Sequence, residues 1–284
     1  TMTQATDWQG GVGRAWSQEW QRTDLSFSGL TPALLEAIGR EPGTRVLDLG
    51  CGAGELTLAL AQRRADAQIL GIDLSGDLVA VARQRAQARD GQELTGLRFA
   101  QADATLWAEP DFVPDLLVSR HGVMFFDDPK AAFSHLAHVS APGARMVFSC
   151  FRSPAQNIWA SALAGLLPPS GSPGNPRAPG PFAFADPDHV RQSLAGWDNV
   201  HLSPHDFTYI AGRGADAPEQ AMALFRRIGP VASAMRQAAP EACPAIEAAL
   251  RALIAAHHSQ GEVGFAAAAW IVTATKAADD HGKR

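Results

Sequence analysis

Residues 46–54 read VLDLGCGAG, with Glu55 and a helical pattern directly behind them. An apolar run ending in Asp48, then glycines at 50, 52 and 54, describes a buried strand, a glycine turn and a helix start. This constrains the whole chain, because a strand apolar on both faces needs strands beside it and helices above and below.

The rest of the chain supplies them. Further strand candidates are 69–72, 97–100, 116–119 and 145–151, and helical patterns run through 55–64, 77–89 and 129–140. Ser75 is placed to cap the second of these helices. Asp128 followed by Pro129 gives an N-cap with proline at the first helical position, so the Asp127-Asp128 pair reads as a cap rather than a metal site. After Phe151 comes a helical stretch at 158–167, then PPSGSPGNPRAPGP at 168–181, where proline and glycine forbid regular structure. That segment is either a linker or a loop over a site. Asp186-Pro187 starts a short helix ending at Gly196, and strands are expected at 200–210 and 265–275, with alanine-rich helices at 215–258 between them. The fold class is therefore α/β: a seven-stranded, mainly parallel sheet with helices on both faces, the last strand antiparallel, plus helical lid insertions.

At 284 residues and 46% hydrophobic, one large core is expected. The expected plan is a single domain over 1–284: an N-terminal helical cap at 1–44, a cofactor-binding core at 45–151, and the remaining strands at 152–284 with substrate-lid insertions around 152–185 and 213–262. The cap is rich in tryptophan, and Trp16 and Trp20 would share one face if a single helix carried both. No apolar stretch approaches membrane-spanning length, and no basic region leads into an apolar block, so a cytoplasmic protein is expected. Cys51, Cys150 and Cys243 form no C-x-x-C pair, which argues against a disulfide framework and a structural zinc site. With 24 basic and 29 acidic side chains the net charge is -5, and no Lys/Arg cluster offers a nucleic-acid footprint, leaving a small molecule as the expected partner.

Spacing decides what the glycine turn suits. A dinucleotide fingerprint, G-x-G-x-x-G, requires glycine at 55 or at 57, where this chain has Glu55 and Thr57. The pattern is instead D-x-G-x-G-x-G. The acid at Asp48 would repel a diphosphate but suits S-adenosylmethionine, which carries an ammonium and a sulfonium. Asp73 ends the second strand, where a carboxylate can accept both ribose hydroxyls. Asp103 follows the third strand and can accept from an adenine amino group, with the backbone of Ala104 beside it. Each acid alone could be a helix cap; three at the ends of three successive strands are hard to assign to capping.

VLDLGCGAGELTLALA, GIDLS, FAQADAT, SRHGVMFFDDP and APGARMVF resemble the successive motifs of the class I S-adenosylmethionine-dependent methyltransferases, most specifically from about Arg45 to Phe151. The resemblance implies a seven-stranded sheet whose last strand is antiparallel and inserted between the fifth and sixth. It implies further that Asp48 and the backbone of Gly50, Cys51, Gly52 and Gly54 hold the methionine portion, Asp73 with Leu74 the ribose, and Asp103 with Ala104 the adenine. Ser119, Arg120 and His121 after the fourth strand would face the methyl group. Ser-Arg-His-Gly there differs from the signature of the subgroup that methylates nucleic-acid bases, and supplies no acids for a catechol-type metal. His121 is the candidate catalytic base for an O-methylation, the alternative being a histidine that shapes the pocket while positioning and water exclusion supply the acceleration. The expected function is methyl transfer to a small-molecule acceptor by direct in-line displacement. A NAD(P)-dependent oxidoreductase and a non-catalytic S-adenosylmethionine-binding regulator are the rivals.

Overall fold

A computed structural model describes residues 5–88, 95–167, 175–237 and 240–278. Four helices lead in: α1 (Ala5–Trp8), α2 (Gly11–Gln18), α3 (Trp20–Ser26) and α4 (Thr31–Gly39). The alternating core follows as β1 (Arg45–Leu49), α5 (Glu55–Arg63), β2 (Gln68–Asp73), α6 (Gly76–Gln87), β3 (Leu97–Gln101), β4 (Leu116–Arg120), α7 (Pro129–Val139) and β5 (Arg145–Phe151). Next come α8 (Ile158–Ala164), α9 (Pro187–Ser193), β6 (Trp197–Arg213), α10 (Ala217–Arg227), α11 (Pro230–Gln237), α12 (Cys243–Ala256), β7 (His258–Ser259) and β8 (Glu262–Lys276).

The sheet order is β3-β2-β1-β4-β5-β8-β6, with β7 paired to β8. β1 to β5 are parallel, and β8 runs antiparallel to both of its long neighbours. The last strand thus sits between the fifth and sixth, as the resemblance implied. From β1 the chain winds outward to β2 and β3, then returns to β4 and β5 on the other side. This reversal leaves a crevice over the carboxyl ends of β1 and β4, the place where open α/β sheets bind ligands.

Local chemistry sets the helix starts. The Ser75 hydroxyl accepts from Leu78 N at 3.3 Å, the Asp128 carboxylate from Ala131 N at 2.9 Å, and Asp186 from Asp188 N at 3.0 Å. The apolar set of α10, Met222, Leu224 and Phe225, is buried in the core together with Ile228. Met235 on α11 packs against the same core. The expected 168–181 loop lies outside the described residues as far as residue 174. Its later part is tied down by Gly180 N, which donates to Met124 O at 3.1 Å.

Three differences from the sequence expectations matter. β6 is longer than the 200–210 expected. Its ladder with β8 runs from Trp197–Lys276 to Arg213–Glu262, while β5 stops at the Phe151–Ala269 pair. The β6–β8 ribbon therefore overhangs the sheet on the side of the crevice. An eighth strand, β7, forms because the chain after α12 turns through Gln260 and Gly261, both at positive φ, and pairs back on β8. Finally, no single helix carries Trp16 and Trp20: the chain breaks at Glu19. The Glu19 side chain is buried and paired with Arg22 and, at 2.8 Å, with Arg227 of α10, so its carboxylate is drawn into the fold.

Candidate functional site

Three of the five residues from Gly50 to Gly54 have positive φ: Gly50 (66°), Gly52 (54°) and Gly54 (84°). Any other side chain costs about 1–2 kcal/mol in that region. Space separates their roles further. A Cβ on Gly50 would lie 2.9 Å from Gly122 Cα, and one on Gly54 would meet Ala82 and Phe99 at 3.0 Å. A Cβ on Gly52 would meet nothing within 4 Å, so Gly52 is the glycine that borders open space.

The carboxylates stand around this turn. Asp73 accepts from Gly52 N at 2.9 Å and from Ser75 N at 2.8 Å, so it clamps the turn to the start of α6. Burial raises its pKa, partly offset by those two bonds. Asp48 is buried and accepts from the Thr57 hydroxyl at 2.6 Å through Oδ2, while its Oδ1 is buried without a partner. Burial pushes Asp48 up to about 7 against the opposing effects of Thr57 and Arg120. Asp103 turns its Oδ1 to Thr105 N (2.9 Å) and Thr105 Oγ1 (2.7 Å), fixing the bend that carries Ala104. Leu74 is half-buried, and its carbonyl accepts from Gln101 at 3.0 Å. Cys51 is buried, with its thiol pushed well up, and donates weakly to Gly52 O.

Ser119 is spent within the protein. Its hydroxyl donates to Leu49 O at 2.7 Å and accepts from Gly122 N at 3.1 Å, holding the turn after β4 against the turn after β1. Beside it lies an ionic network that the sequence did not announce. Arg120 pairs with Glu55, with Thr31 Oγ1 at 3.0 Å and with Asp24 at 3.4 Å; Asp24 also takes Arg85 at 2.8 Å. Arg85 donates to Ala53 O at 2.8 Å and lies 3.9 Å over the Trp20 ring. The N-terminal helices are thereby fastened to the glycine turn. On their other side, Trp8 meets Trp16 at 5.8 Å and Phe125, just past β4, at 5.0 Å.

His121 follows β4 at positive φ (67°), unusual for a non-glycine residue. Its Nδ1 meets Ser149 Oγ at 2.8 Å, and its Nε2 is buried without a partner. Burial and the neighbouring Arg120 guanidinium push its pKa down to about 3. The ring is thus a neutral hydrogen-bonding group in the free protein. Phe151 lies 4.1 Å and Phe27 5.1 Å from it, centroid to centroid. Two other histidines are engaged elsewhere: His135 bonds Trp107 O at 2.7 Å, and His257 stacks on Phe265. Among the described residues, no group of three His, Cys, Asp or Glu side chains could hold a metal ion, and no helix is long and apolar enough to cross a membrane.

Residues 46–143, which carry the turn and its acids, match the family model described as a methyltransferase domain. Solved structures extend the likeness across the chain. The magnesium protoporphyrin IX methyltransferase of Synechocystis PCC 6803, solved with S-adenosylhomocysteine, superposes with a TM-score of 0.51 at 16% identity, over 95% of this chain and 97% of that one. This is the class I S-adenosylmethionine-dependent methyltransferase fold. A phosphoethanolamine N-methyltransferase of Haemonchus contortus in complex with S-adenosyl-L-methionine shares it, with a TM-score of 0.52 at 16% identity over 93% of this chain and 57% of that one. In sequence, a demethylmenaquinone methyltransferase of Thermus thermophilus is 38% identical over 115 residues, 40% of this chain and 50% of the relative. The match thus spans only half of that relative.

Proposed function

We propose that the chain binds S-adenosylmethionine over the carboxyl ends of β1 and β2 and transfers its methyl group to a small-molecule acceptor. The observation that carries this reading is the orphaned, buried Oδ1 of Asp48 behind a glycine turn open at Gly52. A buried carboxylate oxygen with no partner is costly, and a cationic ligand relieves that cost. S-adenosylmethionine, when bound, supplies a methyl group on a positively charged sulfur; transfer leaves the C–S electron pair on that sulfur while an acceptor lone pair bonds the carbon.

In this reading Asp48 faces the cationic methionine end, and the backbone from Gly50 to Gly54, Cys51 included, lies against it. Asp73 keeps acceptor capacity beyond its two backbone bonds for the ribose hydroxyls, since a carboxylate offers about four lone-pair sites. Leu74 borders the ribose, while Asp103 and Ala104 flank the adenine. Ser119 acts by holding Gly122 and Leu49 in place rather than by touching the cofactor. His121 orients the acceptor as a neutral hydrogen-bonding group. The helices of the N-terminal segment and residues 175–180 exclude water, which with positioning supplies most of the acceleration.

A thermal-shift panel tests the reading. S-adenosylhomocysteine should raise the melting temperature, and NADH and NADPH should leave it unchanged. A shift with a nicotinamide cofactor alone would overturn it. Turnover is checked by release of S-adenosylhomocysteine across an acceptor panel.

The pH dependence of binding follows from Asp48. Its carboxyl, at about 7 in the free protein, must lose its proton to face a cation. Cofactor affinity should therefore rise as pH increases toward 7 and level off above it, with protons released on binding near neutrality. The same shift makes the free protein lose stability from about pH 4 to 7, because the folded state holds that proton more tightly than the unfolded one. Calorimetry in two buffers of different ionisation enthalpy checks the release. In Asp48→Asn the slope should flatten. An unchanged slope would assign it to Glu55, which burial also raises to about 7.

A further inference from the structure

Six rings meet where the carboxyl ends of β4 and β5 pass under the overhanging β6–β8 ribbon. His121 and Phe151 come from the two strand ends, Phe27 from the N-terminal segment, Trp159 from α8, Phe182 from the segment before α9, and Tyr209 from β6. Trp159 stacks on Tyr209 at 5.0 Å and 17°, and on Phe182 at 6.0 Å and 27°. Phe151 touches Trp159 at 5.2 Å and Phe182 at 5.9 Å. The Trp159 indole is held by Asn157, whose Oδ1 accepts Nε1 at 3.3 Å and also Ala268 N at 3.0 Å. Five of the six rings are buried; Phe182 alone is half-buried.

A purely structural aromatic cluster has no use for an unsatisfied polar atom, yet Nε2 of His121 is buried here without a partner. Charge narrows what can satisfy it. Arg120 is the charged group acting on His121, its centre 5.0 Å from the Phe27 ring. Asp24 and Glu55, from α3 and α5, are turned to Arg120, and β5 presents Ser149 and Phe151. Tyr209, from β6, is raised by burial and therefore neutral. A guanidinium repels a second cation, while parallel rings favour a flat guest.

Resting on the methyltransferase reading, we propose that the acceptor is a flat conjugated hydroxyl compound, a phenol or enol, that takes the place of the Phe182 ring against Trp159 and hydrogen-bonds Nε2 of His121. Its hydroxyl proton is given up to bulk solvent on entry, so that the oxygen arrives in the water-excluding site as the anion. The oxygen then forms the bond to the methyl carbon as the C–S bond breaks, its electron pair remaining on sulfur. His121 donates through Nε2–H, with Nδ1 accepting from Ser149, and so positions the oxygen without taking its proton.

The test is equilibrium binding to the full chain saturated with S-adenosylhomocysteine, read by calorimetry with 1-naphthol and with 1-naphthylmethylamine, the same ring system bearing a cation. The naphthol should bind at least tenfold more tightly. Phe182→Ala should tighten naphthol binding at least threefold by removing the ring it displaces, and Trp159→Ala should weaken it at least tenfold at unchanged S-adenosylhomocysteine affinity. Equal or tighter binding of the amine, no naphthol binding, or a Phe182→Ala variant that binds naphthol no better would overturn the proposal. Failure to bind S-adenosylhomocysteine would instead overturn the reading on which it rests.

Discussion

Asp73→Ala is expected to weaken S-adenosylhomocysteine binding at least about tenfold, since a charge-assisted hydrogen bond is worth about 1.5–3 kcal/mol and 1.4 kcal/mol is a factor of ten. Two effects add. The ribose loses its acceptor, and Gly52 N and Ser75 N lose theirs, which loosens the turn on which the ligand lies. A fragment separates the ribose role from a general loss. 5′-Methylthioadenosine keeps the ribose and lacks the ammonium, so Asp73→Ala should weaken it as much as the whole ligand, while Asp48→Asn should hardly affect it. Calorimetry with both ligands decides the matter, and undiminished affinity in Asp73→Ala would sink the ribose assignment.

The two residues that break the dinucleotide pattern show how much of the site could be read in advance. Glu55 and Thr57 stand where that fingerprint wants glycine, and on sequence grounds they served only to exclude it. In the fold both side chains are engaged, Thr57 in a bond to Asp48 and Glu55 in a pair with Arg120. A spacing pattern shows which residue types are present, but not that the first turn of α5 points Thr57 back at β1 and Glu55 across to the end of β4. The strands were legible for a simple reason. Runs such as RVLDL and LLVSR are buried almost throughout, and buried parallel strands declare themselves as apolar runs between turn signals.

The proposed acceptor side was less legible because it is assembled from distant segments. Phe27, Phe151, Trp159 and Tyr209 are scattered over more than 180 positions and share no period, and Tyr209 reaches the group only because the β6–β8 ribbon runs past β5. The break at Glu19 was hidden likewise, since Arg227, which holds its carboxylate, lies far along the chain. His121 was found from its place after the fourth strand. Its burial, however, is a property of the packed rings, and it is that burial which holds the ring neutral in the free protein.

Gly122→Ala and Gly52→Ala should fail in opposite ways. A Cβ on Gly122 would lie 2.6 Å from Leu49 O and 3.0 Å from Gly50 Cα, so the new methyl would press on backbone at the end of β1. Backbone cannot swing aside as a side chain can, and overpacking of this kind costs about 1–3 kcal/mol. The melting temperature should fall by several degrees, at about 2–4 °C per kcal/mol for a chain somewhat shorter than this one. A Cβ on Gly52 meets no atom within 4 Å, so that substitution carries only the strain of a left-handed alanine, about 1–2 kcal/mol. Its methyl would instead stand in the open space assigned to the cofactor. S-adenosylhomocysteine affinity should therefore drop more than tenfold in Gly52→Ala, and less in Gly122→Ala once the folded fraction is accounted for. Calorimetry beside thermal melts of the free proteins measures both. If Gly52→Ala binds the ligand as well as the parent chain does, the space beside that glycine is not where the cofactor lies.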